Sequence, residues 1–574
     1  MSGPSKPAAG DTDSSGVSGA RSNVAALALL LLVLAWLPGQ GAASALRWWV
    51  LCGALPLVSL VTLGLGPRPW PRVASAWLAL AGLSAASAVV VASPGGAAWQ
   101  AVVVCGWTNA LWIGWATVHT AHAERTLGRA AAAAGALAAV GVWMPWWGPA
   151  GSFGNVDLLA GFLALCLVWT GVVASGEADL GPLPPTPSPE TGEGEPKIGG
   201  QRGVTVGLWV SVLVQAVALV QLESWGAFCA VLVGLGSAAV WGSVRRWGRG
   251  VGALAGLVGI AVLGVFLRLP AVLEHIEGRL LMVRVSLKMV FERPLLGLGA
   301  GSFPSGWMNA QAAYFGSNLT HPDSGLWTHA HHAHNEFLHV GAELGGLGLL
   351  LFVAPIVLAL ARRPVRLGAW SASVAFVVMA LVSMPLYEPA TAFLACLGLG
   401  AALGAGRATE SPEARAEIGV WRRRLAVAGV AALLVLTSAD LIADRLLVRG
   451  VEADSANTLA LAQRLALRPE RAMRYRAALL PPQESLELAR RAAERDPSPD
   501  AWALVGQLAA TQGELQKARE AYLESVRLCP FYYTGVVDLA QISDRLGDYQ
   551  GALRWGEQAK RLRPSDPRNV GLVF

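Results

Sequence analysis

The stretch His329 to Phe352, HAHHAHNEFLHVGAELGGLGLLLF, decides how this chain is read. Four histidines, His329, His331, His332 and His334, run into Asn335 and Glu336, and an apolar helix is expected to begin near Val340. Ionisable chemistry therefore stands at the mouth of an apolar segment. Imidazole has an unperturbed pKa near neutrality, so it can take or give a proton at working pH. Histidines at the lip of a lipid-buried helix are uncommon, and they mark a candidate site. If the helix reaches back to about residue 332, His332, Glu336 and His339 share a face, and His339 and Glu343 stand at i,i+4. Three readings are open for this knot: a general base or orienting group at a membrane interface, a metal site served by the HxHH spacing, or a polar loop without special chemistry.

The rest of the chain supplies the membrane body. Of 574 residues, 54% are hydrophobic and 14% charged, with a mean hydropathy of +0.48. Soluble domains carry roughly 25% charge, so the composition excludes a chain that is soluble throughout. The expected fold class is all-α, a polytopic transmembrane bundle. The net charge of +6 is modest, and no basic, aromatic-interleaved stripe points to nucleic acid. The six cysteines (Cys52, Cys105, Cys166, Cys229, Cys396, Cys529) are scattered without a CxxC spacing and read as small buried hydrophobes.

Crossing ~30 Å of hydrocarbon takes about 20 apolar residues. Such runs fall at roughly 23–39, 45–66, 73–92, 99–119, 129–147, 156–175, 204–222, 225–243, 250–268, 340–361, 368–386, 390–405 and 423–441, giving 12–13 spans over 23–441. Residues 1–22, polar and Gly/Ser/Pro-rich, read as a disordered tail. Residues 176–203 read as a flexible cytoplasmic linker. With the N-terminus inside, the inside loops carry Arg68 and Arg72, Arg125 and Arg129, Lys197 and Arg202, Arg245, Arg246 and Arg249, Arg362, Arg363 and Arg366, and Arg407, Arg415 and Arg422 to Arg424. That is the positive-inside pattern. It puts the long loop 269–339, with its histidines, and the C-terminal domain outside.

From about 451 the chain turns soluble and helical. Pro530 and Pro564, Gly513 and Gly547, Ala518 and Ala552, and Leu528 and Leu562 are each 34 residues apart. The period resembles the tetratricopeptide repeat over 451–566, with clear units at about 498–531 and 532–566. Such a solenoid holds a peptide or protein partner, or serves as a passive cap.

The first half of the long loop reads RLLMVRVSLKMVFERPLLGLGAGSF from Arg279 to Phe303. Arg279, Arg284, Lys288 and Arg293 alternate with apolar residues, and the helix is expected to end before Pro294. Gly297, Gly299 and Gly301 form a turn whose amides are expected to lie open to an anion. The cations can meet lipid headgroups or clamp a diphosphate bidentately.

Four pieces in order resemble the O-antigen ligase and polymerase superfamily: the WaaL-like and Wzy-like proteins and the protein O-oligosaccharyltransferases. They are GSFGNVDLLAGFLAL (151–165), PLLGLGAGSF (294–303), HAHNEFLHVGAELGGLGLLLF (332–352) and MPLYEPATAFLACLGL (384–399). The resemblance implies a metal-independent, inverting glycosyltransferase of the bacterial cytoplasmic (inner) membrane, without a cofactor. It moves a glycan from a polyprenyl diphosphate to a glycan, lipid or protein hydroxyl on the outer face. His334 then matches the family's essential histidine and serves as base. Arg279 and Arg284 hold the diphosphate, and Lys288, Arg293, His332, Asn335, Glu336 and Asn155 bind substrate. One piece departs from the family: where an arginine usually follows a serine, the chain reads Glu223, Ser224, Trp225, Gly226. The alternative expectation is therefore a catalytically altered membrane scaffold that displays a repeat domain during polysaccharide assembly.

Overall fold

The structure, a computed structural model, describes residues 12–34, 42–62, 74–89, 91, 94–118, 121–144, 153, 155–176, 198–266, 268, 276–316, 321, 323–362, 364–404, 420–564, 566 and 568. Among them the chain forms helices and no strand. Six helices are long and apolar enough to cross a membrane: His122–Trp143, Val156–Ala174, Val204–Gln221, Trp225–Trp247, Glu336–Leu360 and Arg424–Glu452. Six shorter apolar helices accompany them. Each apolar run read from the sequence overlaps a helix among the described residues. Residues 1–11 of the expected tail and 177–197 of the expected linker lie outside the described residues, as do Arg68, Arg72, Lys197, Arg363, Arg407 and Arg415. A helix already runs from Thr12 to Leu34, and another starts at Ile198, within the segment assigned to the linker.

The chain divides into two compact units. The first comprises residues 1–78, 105–272 and 353–434. Its centre is Val156–Ala174, a helix apolar on every side and buried from Leu159 to Ala174. A helix with no polar face has to be surrounded, and the helices Ala121–Val140, Ile198–Gln221, Trp225–Trp247, Leu367–Val382 and Pro389–Gly404 pack against it. Small residues set the closest approach. A Cβ at Gly114 would overlap the carbonyl of Leu397, and one at Gly400 the carbonyl of Leu111. Small-residue crossings of this kind let helices associate where lipid removes the hydrophobic drive. Glu124, fully buried, accepts from the amides of Gly368 (2.9 Å) and Ala369 (3.3 Å), capping the Leu367–Val382 helix with a negative charge at its positive end. Leu213, Leu254, Leu257 and Ile260 face outward and are 61–69% exposed. Aliphatic side chains presented in rows like this suit contact with lipid rather than water.

The second unit comprises 79–104, 273–352 and 435–574. Its helices Ile276–Glu292 and Phe303–Phe315 pack on each other around Leu281, Val285, Met289, Phe303 and Trp307, all 0–1% exposed. The same core takes in Leu528, with Trp502 and Phe531 at its edge. The C-terminal helices thus share a core with the loop. Arg527 donates to Asn309 Oδ1 at 2.7 Å, and Phe315 meets Phe531 edge-on at 5.7 Å.

The two sequence repeats fold alike. Pro499–Thr511 and Leu515–Leu528 have 13 and 14 residues, and Tyr533–Arg545 and Tyr549–Leu562 again 13 and 14. Gly513 and Gly547 both take φ +78°, the left-handed turn that glycine enters without steric cost. Ala518 and Ala552 are wholly buried, where a larger side chain would push the paired helices apart. Three further helices, Ala456–Leu465, Glu470–Ala477 and Pro482–Arg495, precede these pairs among the described residues, each packing on the next.

Candidate functional site

The apolar helix starts at Glu336, not Val340. Asn335 starts it: its Oδ1 accepts from the amide of Leu338 at 2.9 Å, the usual N-cap bond. His332 therefore precedes the helix and does not lie on its face. Its ring nevertheless sits 5.6 Å from that of His339, and the rings of His329 and His331 are 4.8 Å apart. His334 has φ +50°, a left-handed conformation costly for a side chain with a Cβ. Strain of this kind persists where the surroundings fix it, and it clusters at functional sites.

The surroundings are fixed by a buried chain of polar contacts. The amide of Ala333 donates to His339 Nδ1 at 3.4 Å, leaving the proton on Nε2, which faces Glu343 Oε1 at 3.5 Å. That carboxylate oxygen also accepts from the amide of Phe303 at 3.0 Å. Phe303 stacks on His339 with 4.6 Å between ring centres. The end of the glycine turn is thereby tied to the first turns of the histidine helix.

A second tie is made by backbone alone. The Glu336–Leu360 helix breaks at Gly345, where φ is +63°. The break frees carbonyls and amides, and the glycine turn takes them up. Leu298 donates to Ala342 O at 2.9 Å and Gly299 to Glu343 O at 2.7 Å, while Gly346 donates to Pro294 O at 2.7 Å and Leu347 to Leu295 O at 3.3 Å. Side chains would prevent this: a Cβ at Gly297 overlaps the carbonyl of Glu343, and one at Gly345 overlaps that of Leu295. Gly297 N donates to Arg293 O, and Ala300 N to Ser87 Oγ. The expectation that these amides lie open to an anion is thus corrected; the amides of residues 297 to 300 are taken by the protein itself.

The cations divide. Arg279, Arg284 and Lys288 lie on Ile276–Glu292. Arg284, 56% exposed, stands 3.5 Å from Asp323, which also accepts from the hydroxyl of Tyr314 at 2.6 Å. Arg293, exposed, lines an apolar cavity of about 540 Å³ with Leu83, Leu295, Leu296 and Leu344. Asn155 belongs to the first unit. Its Oδ1 accepts from Asp157 N (2.8 Å) and Leu158 N (3.3 Å), capping the central buried helix. Asp157 in turn accepts from Ser224 Oγ at 3.1 Å, joining the GSFGN stretch to the Glu223–Trp225 stretch that lacks the expected arginine.

Burial pushes the imidazole of His332 well below its ordinary pKa, and the neighbouring His339, His331, His334 and Arg468 add to the shift. His331 is lowered by burial and by His329, against a raising pull from Asp496. His331 and His332 are therefore held as neutral imidazoles. Among the described residues no group of three or more His, Cys, Asp or Glu side chains is arranged to hold a metal ion.

Two groups escape sequence reasoning. Arg468, in the connection between the Ala456–Leu465 and Glu470–Ala477 helices, is the arginine that acts electrostatically on both His331 and His332. Its only signal is the density of arginines in RPERAMRYR (468–476). In the first unit Arg47 and Glu388, 2% and 4% exposed, pair at 3.3 Å beneath the ring of Phe153. A carboxylate in MPLYEP and a basic residue in an apolar run were the available hints.

No family model and no curated protein matches the chain. Among solved structures, the crystal structure of MamA protein is similar over 24% of this chain and 79% of that one, at 16% identity and a TM-score of 0.22. A likeness at that score carries no argument about either unit.

Proposed function

We propose that the chain is a membrane glycosyltransferase that moves a glycan from a polyprenyl diphosphate to an acceptor hydroxyl on the outer face of the membrane. One observation carries the reading: PLLGLGAGSF and HNEFLHVGAELGG, the two stretches that resemble the ligase and polymerase superfamily, are interlocked, and His334 at the head of the second takes a left-handed conformation. His334 takes the proton of the acceptor O–H as that oxygen attacks the anomeric carbon. The bond from the anomeric carbon to the diphosphate oxygen breaks, and the polyprenyl diphosphate leaves with the electron pair. A base near neutrality contributes typically 10²–10⁴-fold to such a step.

Arg279 and Arg284 hold the diphosphate, with Arg284 exchanging Asp323 for phosphate oxygens. The apolar cavity beside Arg293 has the lining that a polyprenyl tail requires. The paired C-terminal helices with their matched glycine turns support the tetratricopeptide reading of 451–566.

The test is His334→Ala, assayed for transfer from a polyprenyl-diphosphate glycan in membranes. Transfer should fall by about 10² or more. Near-normal transfer rejects the mechanism. Arg284→Ala should raise the donor concentration needed for half-maximal rate, and an unchanged donor dependence removes it from the clamp.

A further inference from the structure

A polar cavity of about 350 Å³ lies within the second unit, between the histidine loop and the C-terminal helices. His331, Gly301, Pro304 and Ser305 line one side. The other side is built from the segment 440–496. Its size falls within the range of small-molecule sites, roughly 300–1,000 Å³.

The charge on its walls is balanced. Arg468, Arg471, Arg474 and Arg495 face Asp440, Asp444, Glu470 and Asp496. Some of this is satisfied internally: Arg474 pairs with Asp496 at 3.0 Å, and Asp440 Oδ1 accepts from the amide of Leu467 at 3.0 Å. The remainder is held more loosely, with Arg445, Arg471 and Arg468 acting on Asp444 through space. Arg468 lies over the ring of Trp99 at 4.7 Å and Arg471 over Tyr475 at 6.0 Å, and neither makes an ion pair among the described residues. Among the described residues Arg495 donates only to the sulfur of Met473, at 3.9 Å. Asp444 Oδ2 is buried and accepts no hydrogen bond among the described residues.

Unused donors and an unused acceptor therefore share one cavity. An anion offers only acceptors and would meet the carboxylates; a cation offers only donors and would meet the guanidiniums. A vicinal diol offers both. Its paired hydroxyls match the two parallel atoms of a guanidinium fork or a carboxylate. The small apolar walls, Ala443, Leu447 and Ala462, suit the C–H faces of a pyranose ring. We infer that this cavity is a saccharide-binding subsite, built jointly by the histidine loop and the C-terminal helices, with Arg468, Arg471 and Asp444 as its hydrogen-bonding groups. Its use as the berth of the acceptor glycan rests on the transferase reading; its affinity for a saccharide does not.

The experiment is saturation-transfer NMR on the full chain in lipid nanodiscs, with cellotetraose and chitotetraose as probes and inorganic pyrophosphate as competitor. At least one tetrasaccharide should show transfer, and Arg468→Ala and Asp444→Asn should each weaken it about tenfold, the cost of about one buried hydrogen bond. Arg471→Gln, at a residue that stacks on Tyr475 and makes no ion pair among the described residues, should weaken it with unfolding temperature little changed. His334→Ala should keep the saccharide signal while losing glycan transfer. Saccharide signal in a protein without transferase activity keeps the subsite and rejects the enzyme. No signal from either probe, a signal indifferent to all three variants, or displacement by pyrophosphate overturns the subsite.

Discussion

The amide of Phe303 donates to the side chain of Glu343, while the backbone carbonyl of Glu343 accepts from Gly299. One residue thus clamps the middle and the far end of the glycine turn, and the same carboxylate faces His339 from 3.5 Å. Glu343→Ala removes the acceptor and leaves a buried amide unsatisfied, at a cost of about 1–3 kcal/mol. Glu343→Gln keeps an oxygen at that place and should recover most of the stability. Thermal unfolding of both variants checks this; equal loss in the two would mean that negative charge, not hydrogen bonding, is what matters.

Gly345 is expected to tolerate no side chain. Its φ of +63° disfavours any residue with a Cβ, and an added methyl overlaps the carbonyl of Leu295. Gly345→Ala should lower stability by at least about 2 kcal/mol. Gly341→Ala is the control on the same helix, where the new methyl would meet only Val290, at 3.4 Å. Similar unfolding temperatures for the two variants would contradict the interlock.

The buried Arg47–Glu388 pair predicts a sign change between single and double variants. Arg47→Met leaves the Glu388 carboxylate buried without its partner, which typically costs about 3–5 kcal/mol. Adding Glu388→Gln removes the stranded charge and should restore much of the loss. A double variant no more stable than Arg47→Met would remove the pair as the cause.

The histidine loop sets a pH response. His332 has its folded pKa held well below the unfolded value near 6.5, first by burial. The unfolded chain therefore binds more protons as the pH drops through about 6.5, and the folded state loses stability there. Unfolding temperature should be flat above that pH and fall from pH 7 to 5. His332→Gln should flatten the fall, and a wild-type profile level across that window would count against a buried neutral imidazole.

Much of the helical layout was legible in the sequence, because apolar runs of about 20 residues announce themselves without any knowledge of contacts. The 34-residue recurrence of Gly513 and Gly547 likewise gave the matched helix pairs. What joins distant segments was not legible. Leu298 and Ala342 are bonded backbone to backbone, so neither side chain records the pairing. The break at Gly345 lies within GAELGGLG, where a helix-period reading sees an unbroken apolar helix. The pairing of Arg284 with Asp323, thirty-nine positions later, leaves no sign in a reading that gives Arg284 to headgroups or a diphosphate. The four arginines of the cavity were hidden for a different reason: on paper they are the solvated faces of helices, and only three-dimensional packing sets them around one cavity with His331.

The packing of Leu528 against Phe303 and Trp307 governs how the protein can be cut and recombined. A chain clipped near residue 450 would not yield a lean membrane body and a spare tail. It would tear a Phe- and Trp-lined seam open and collapse the loop along with the tail. Grafts between such proteins should carry the loop and its terminal helices as a single cassette.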